Sequence, residues 1–364
     1  MQLQIPDKIR QRLNMIISII VIIILVVAII YIYPSLFQTV PPKRTEWAYS
    51  KLQITEMNSD GKFGEGVTVA IIDTGIDLNH PELSHVNLVA WRDLINREQK
   101  PYDDDGHGTA MAGIIAGKTY GVAPAVDLIV VKAIDALAGA TDTNIYTAIR
   151  FCMQHGADII SMSLGRDEVR IEDLTGPWQE STLEQVCDEA VQAGIFLIAA
   201  AGNDGGQNDD GEVSVPSVHE KTIAVGAVNK DLIIAGFSSE GENNGKLPNF
   251  ISNWDPWERH DPDKKPEVVA PGVDIVAPGL EEKYYTYSGT SLAVPFVSGG
   301  LALILGELTQ YQQENNAGEA TITKVKDNIM KTCQKSPTQE TPHDDRYGYG
   351  LFQVQDLFEA LEEQ

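Results

Sequence analysis

Five apolar runs limit what this chain can become. VTVAII (Val67–Ile72), DLIVVKAI (Asp127–Ile134), ADIISMSL (Ala157–Leu164), IFLIAAA (Ile195–Ala201) and TIAVGAV (Thr222–Val228) are largely apolar and rich in β-branched residues. A strand with one wet face alternates apolar and polar side chains. These runs are too continuous for that, so both of their faces need cover. Amphipathic stretches with helical spacing lie between them, at Thr143–Gln154 and Ser181–Ala193. The alternation predicts an α/β fold, a doubly wound, mostly parallel β-sheet flanked by helices, with its site at the strand C-termini. Two polar stretches read as long loops: Arg166–Gln179, and Glu240–Lys265 with Trp254 and Trp257. There is no internal repeat.

Ahead of this region, Met15–Tyr33 reads MIISIIVIIILVVAIIYIY, without a charge. About 19 residues at 1.5 Å each span about 28 Å, close to the hydrocarbon thickness of a bilayer. Tyr31 and Tyr33 fall where an interfacial aromatic belt sits, and Pro34 ends the helix. A cleaved signal peptide is the rival reading, but its apolar core is usually shorter and no small-x-small site follows. The expectation is one transmembrane helix preceding the α/β domain. Residues 1–33 would form a cytoplasmic stub and anchor, 34–44 a connector, and 45–364 the folded domain. Lys8, Arg10, Arg12 and the terminal amine on one side slightly outweigh Lys43, Arg44 and Lys51 on the other. That bias points to a single-pass membrane protein with its main domain outside the cytoplasm. The connector reaches at most about 40 Å, which keeps the domain near the bilayer.

Composition narrows the partners. The formal net charge is −25 and the sequence pI about 4.5, with nearly all of the excess acid downstream of the apolar segment. Such a field repels nucleic acid, so no nucleic-acid partner is expected; it favours solubility and tolerates cationic peptides. Cys152, Cys187 and Cys333 are too few and too odd in number for a disulfide framework, and none has metal-ligand spacing. Buried free thiols are expected, with one disulfide and a spare thiol as the alternative.

Four segments carry chemistry. AIIDTGID ends the first predicted strand at Asp73; DDDGHGTAMAGIIAG sets His107 at the start of a small-residue helix. IFLIAAAGNDG ends a strand at Asn203, and YSGTSLAVPFVSGG sets Ser291 at the start of a second apolar helix. A serine hydroxyl is a poor nucleophile until a base such as His107 takes its proton. The imidazole in turn needs an orienting carboxylate, which Asp73 supplies. The Asn203 amide and the backbone N–H of Ser291, at a helix N-terminus, would meet the negative charge that develops on the substrate oxygen.

These segments resemble those of the subtilisin-like serine peptidases over roughly Trp47 to Leu361. The resemblance implies that Asp73, His107 and Ser291 form a triad and that Asn203 is the oxyanion donor. It also implies that the segment Lys132–Asp142 pairs with extended substrate through Ala138, Gly139 and Ala140, opposite Ser163, Leu164 and Gly165. Ala200, Ala201 and Gly202, with Ser214 and Val215 in the stretch Ser214–Ser217, would line the pocket for the residue before the cleaved bond. Asp204 would sit at the rim of that pocket, where it could favour Lys or Arg.

Leu292 stands where the family usually has Met, and Phe296 where His is common; neither touches the triad. AGKTYGVAP is short and lacks the calcium-binding loop of secreted members, and only the Pro34–Arg44 connector stands where those members carry a folding propeptide. No metal and no cofactor are expected for the chemistry. Calcium is an option at Asp103–Asp105, Asp209/Asp210 or Asp255/Asp261/Asp263, none with convincing ligand spacing. The expected function is therefore a serine endopeptidase acting on peptides or proteins near a membrane. The alternative is a catalytically silent subtilisin-fold binding module. A related serine-carboxyl peptidase is disfavoured, because it uses Glu where this chain has His107.

Overall fold

The computed structural model describes residues 7–32, 41–135, 139–165, 182–206, 212–244, 258–316 and 318–364. The predicted loop Arg166–Gln179, residues 245–257 of the predicted loop Glu240–Lys265, and Ala138, Asp209, Asp210 and Asp255 lie outside the described residues. The chain divides into two units, Met1–Pro42 and Lys43–Gln364.

The first unit contains helix α1, Asp7–Ile32, 26 residues long. At 1.5 Å per residue it extends about 39 Å. From Met15 to Val27 its large apolar side chains are between 46% and 60% exposed.

The second unit is built on a seven-stranded sheet. In chain order the strands are β1 (Thr68–Asp73), β2 (Asn87–Asp93), β3 (Asp127–Lys132), β6 (Ile159–Met162), β7 (Phe196–Ala200), β8 (Ile223–Val228) and β9 (Val268–Pro271). Their spatial order is β2-β3-β1-β6-β7-β8-β9, and all adjacent pairs run parallel. Two antiparallel hairpins stand apart from it. One joins β4 (Ile134–Asp135) to β5 (Gly139–Ala140), and the other joins β10 (Ile275–Pro278) to β11 (Tyr284–Tyr287).

Every residue of β6, β7, β8 and β9 is buried, as expected of strands covered on both sides. Helices α4 (His107–Ala116) and α7 (Thr290–Glu307) pack together, α4 against β1 and α7 against β6 to β9. Helices α5 (Asp142–Gln154) and α6 (Thr182–Gln192) also pack together and touch β1, β3 and β7. Short helices α2 (Glu46–Lys51) and α3 (Ile54–Ser59) precede β1, and α8 (Glu319–Thr332) and α9 (Val354–Glu362) close the chain.

By length and hydropathy α7 would also pass for a membrane span, but 83% of it is buried inside the protein. It is the core helix of the fold. Phe296 is fully buried and meets Tyr49 edge-on at 5.4 Å.

The predicted run Asp127–Ile134 breaks at Ala133. Its ladder to β1 ends at the pair Lys132 and Asp73, and Ile134 then pairs with Ala140 instead. The edge strand β2 carries only a four-residue apolar run, LVAW, between polar ends, and most of its residues are half-buried or exposed. All three cysteines are buried and free. Burial, aided at Cys187 by nearby Asp188 and Glu184, pushes the Cys187 and Cys333 thiols up to about 12, so neither is a ready nucleophile.

A buried ionic cluster joins β8, β9 and α8. Lys265 and Lys326 each place Nζ 2.7 Å from Glu267 Oε1, while Lys326 and Lys221 each reach an Asp263 oxygen at 2.7 Å. Glu267 Oε2 accepts the Ala224 N–H at 2.7 Å, and Lys265 also donates to the Thr222 carbonyl. Three ammonium groups thus share two carboxylates. Burial, with repulsion from Lys326 and Arg259, outweighs the pull of Glu267 and depresses Lys265 to about 7.

Replacing Phe296 with Ala removes a fully buried ring and is expected to cost about 3–5 kcal/mol. A urea titration that finds less than about 1 kcal/mol would contradict the packing of α7 against Tyr49.

Candidate active site

The chain order reverses around β1, which lies between β3 and β6. A crevice outside the strand C-termini opens at such a switch point. Asp73 is the last residue of β1 and fully buried. Its Oδ1 accepts the Thr74 N–H at 2.7 Å and meets His107 Nδ1 at 2.8 Å. A ring nitrogen facing a carboxylate carries the proton, so the geometry assigns the Nδ1–H tautomer and leaves the Nε2 lone pair free. Asp73 Oδ2 is buried without a hydrogen-bond partner.

The approach of α4 to β1 depends on Gly108. A Cβ there would stand 2.2 Å from the Gly75 carbonyl oxygen. The Gly108 N–H donates to Thr74 Oγ1 at 2.9 Å, and Thr74 Oγ1 donates to Asp103 Oδ1 at 3.0 Å. Asp103 Oδ2 accepts from Thr109 N and Oγ1 at 2.9 and 2.7 Å. Burial works against the Asp103 charge, but donors from Thr109, Gly106 and Asp105 outweigh it and hold its carboxyl below the usual range. The same carboxylate therefore organises the turn into His107.

His107 is half-buried, and that burial opposes its charged form. Attraction and hydrogen bonding from Asp73, with Asp105 and Asp103 behind, outweigh that penalty and raise the imidazole pKa above its ordinary value.

The Thr290 N–H and Oγ1 lie 2.8 and 3.0 Å from Asn203 Oδ1. Those contacts settle which amide atom is oxygen and leave Nδ2 as the free donor. Ser291 follows in the first turn of α7, where backbone N–H groups have no acceptor within the helix. The Ser291 carbonyl accepts the Ser163 hydroxyl at 2.8 Å. A Cβ on Gly289 would lie 3.0 Å from Ser291 Oγ and 3.7 Å from Asn203 Oδ1, so hydroxyl and amide border one small volume. The structure brings Asp73 to His107, and Asn203 to Thr290 and Ser291, and the packing of α4 on α7 joins the two halves. Among the described hydrogen bonds none links His107 to Ser291; such contacts commonly tighten only when substrate is bound.

The expected binding segments converge at Ser214. Its N–H donates to the Ala201 carbonyl at 2.7 Å. A Cβ on Gly165 would come within 2.7 Å of Ser214 Cβ, and one on Gly202 within 2.5 Å of Ser214 Oγ. Ala200, Ala201 and Leu164 are buried and Val215 half-buried, while Ser163 turns its hydroxyl to Ser291. Ala201 therefore contributes its carbonyl rather than its side chain. Gly139 and Ala140 form the outer strand of a hairpin with Asp135 and Ile134.

Ser239 was not anticipated. Its hydroxyl donates to the Asp204 carboxylate, which is half-buried, and its Oγ would lie 2.4 Å from a Cβ on Gly202. Thr290 was hidden in plain view inside the GTS string. On the far side, the Leu280 side chain lies against Gly106. Burial, Tyr285 and the carboxylates of Asp105 and Asp103 push the Tyr287 phenol up to about 12.

The candidate calcium carboxylates have internal partners. Asp104 pairs with Lys132, Asp105 accepts the His107 N–H, and Asp261 accepts the Tyr349 hydroxyl. Among the described residues no group of three His, Cys, Asp or Glu side chains is arranged to hold a metal ion.

Proton NMR of the His107 ring should give a midpoint above the ordinary imidazole value of about 6.5. Asp73→Asn should lower that midpoint, since the imidazolium loses its main counter-charge. An unchanged midpoint in the variant would show that the 2.8 Å contact does not hold in solution.

A sequence model of the subtilase family matches residues 64–350. The chain is 34% identical to subtilisin E of Bacillus subtilis over 276 residues, covering 74% of this chain and 62% of that protein. It is 34% identical to a subtilisin of Bacillus pumilus over 324 residues, 87% of this chain and 98% of the relative. It is 35% identical to the serine protease AprX of Bacillus subtilis over 277 residues, 66% of this chain and 57% of that protein. With a matching arrangement of strands and helices, this chain belongs to the subtilase family.

Proposed function

We propose that this chain is a serine endopeptidase, held at a membrane by residues 15–33. The observation that carries the catalytic reading is the 2.8 Å contact between His107 Nδ1 and Asp73, at the strand ends beside the helix that begins with Thr290 and Ser291. In the proposed reaction His107 Nε2 takes the Ser291 proton as Oγ attacks the substrate carbonyl carbon. The resulting oxyanion accepts hydrogen bonds from Asn203 Nδ2 and the Ser291 N–H. The imidazolium then gives its proton to the departing amine, which leaves an acyl group on Ser291. Water, deprotonated by His107, releases the acid and restores the serine.

Extended substrate would lie between Gly139–Ala140 and Ser163–Gly165, with the residue before the cleaved bond entering the space bordered by Gly165, Gly202 and Ser214. Asp204, held by Ser239, gives that space an acidic side suited to Lys or Arg. Leu280 and Tyr287 would flank the departing segment. The exposed apolar side chains of α1 support the anchor reading: in water they would present an uncovered apolar surface from Met15 to Val27, whereas a bilayer covers it. The basic residues before it favour a single-pass topology with the catalytic domain outside the cytoplasm.

Labelling with a fluorophosphonate probe tests the chemistry. Labelling that vanishes in Ser291→Ala is the expected result. A folded protein that is not labelled at neutral pH would make the silent binding module the better account. Asn203→Ala should lower kcat by about 10²–10³ with little change in KM, the usual cost of removing one oxyanion donor. The full chain should sediment with membranes after alkaline carbonate extraction, and a chain lacking residues 1–33 should not; release of both would remove the anchor from this reading.

A further inference from the structure

Lys132 stands where an apolar residue is the ordinary choice. It ends β3, is fully buried, and pairs in register with Asp73 on one side and Asp93 on the other. Its Nζ lies 2.6 Å from the Thr74 carbonyl oxygen, 2.6 Å from Asp104 Oδ1 and 3.5 Å from the Ile134 carbonyl oxygen. It also stands 5.2 Å above the Tyr102 ring. Asp93 is already engaged by the N–H groups of Ile95, Asn96 and Glu98 and by the Tyr102 hydroxyl. The ammonium is therefore directed at Thr74 and Asp104. Thr74 follows Asp73, and Asp104 precedes His107 by three residues. One buried cation thus ties together the two segments that carry the acid and the base.

Stability does not account for such a lysine. Buried ion pairs are often no more stabilising than well-packed hydrophobic residues of similar volume, and a fully buried lysine needs its partners in place. We propose that Lys132 is a positioning residue for the Asp73–His107 pair, clamping the end of β1 to the Asp103–Asp105 turn and offsetting part of the negative field there. The inference rests on the peptidase reading above. The charged groups acting on His107 are Asp73 on β1 and Asp105 and Asp103 in the turn; Tyr287 on β11 faces the same two turn carboxylates, and Asp104 of that turn pairs with Lys132. Lys132 places positive charge among those carboxylates. Without it the imidazole would keep its proton to higher pH, and the turn before His107 would lose its tie to β1.

The test is the second-order rate of fluorophosphonate labelling of the full chain across pH. Lys132→Met is expected to lower the plateau rate about ten-fold, since small misplacements of reacting groups carry costs of that order. It should also move the acid limb to higher pH, which a merely structural lesion in the folded fraction would not do. Lys132→Arg, which keeps a cation, should recover most of the limb position. The Asp104 side chain is 45% exposed, so replacing it opens no buried cavity, and its variants give a second, independent probe of the same tie. Asp104→Ala should lower the plateau several-fold, whereas Asp104→Asn, whose amide oxygen still accepts from Lys132, should keep most of it. Folded Lys132→Met with an unaltered plateau and limb overturns the inference. If that variant does not fold, an unaltered plateau in Asp104→Ala does so. No labelling of the unaltered chain overturns the peptidase reading itself, which these variant results leave standing.

Discussion

The hydrogen bond between His107 and Asp73 joins residues 34 positions apart at 2.8 Å. A displacement approaching an ångström at either end would break it, so both ends need rigid support. Asp73 has it from an interior strand of the sheet, laddered on both sides by β3 and β6. His107 has it from Gly108, whose missing side chain lets α4 come down onto the Thr74–Gly75 turn, and from Asp103, which ties that turn to Thr109. Much of the architecture around β1 can be read as what this one contact requires.

The nucleophile side is organised on a different plan. Thr290 spends its N–H on Asn203 Oδ1, with its hydroxyl at 3.0 Å from the same atom, so the amide presents its NH₂ toward the front of the helix. The donors proposed for the oxyanion are therefore fixed before any substrate arrives, and fixed dipoles cost no reorganisation when charge develops. Membership of the subtilase family accounts for the shared sheet and helices. It does not by itself explain Lys132 or the partnered Asp204, which come from reading contacts.

How far the sequence carried this description follows from what kind of signal each feature leaves. Strands buried on both faces leave long apolar runs, and five such runs were recoverable as β1, β3, β6, β7 and β8. The edge strand β2 and the hairpin strand β11 keep polar or exposed positions, and β10 is only four residues long, so their pattern is diluted. Asp73, His107, Asn203 and Ser291 stood out because each sits at an element boundary next to glycine or small residues. Ser239 could not stand out, since an isolated serine gains meaning only when folding brings it to Asp204. Lys132 did leave a trace, an ionisable residue closing the apolar string DLIVVK, and it was passed over as the start of a binding segment.

The ionic cluster around Glu267 has a consequence for how this sequence can vary. Lys265 and Lys326 both lean on one oxygen of Glu267, and Asp263 holds Lys326 together with Lys221. Losing Glu267 alone would strand two ammonium groups in the interior, and breaking a buried pair in that way costs about 3–5 kcal/mol. Losing either buried lysine alone would leave a carboxylate with less compensation. Removing the whole set in favour of apolar residues need cost little. Positions 263, 265, 267 and 326 should therefore drift through evolution as a block, retained together or exchanged together. A relative that keeps only some of them should carry a compensating change among their neighbours.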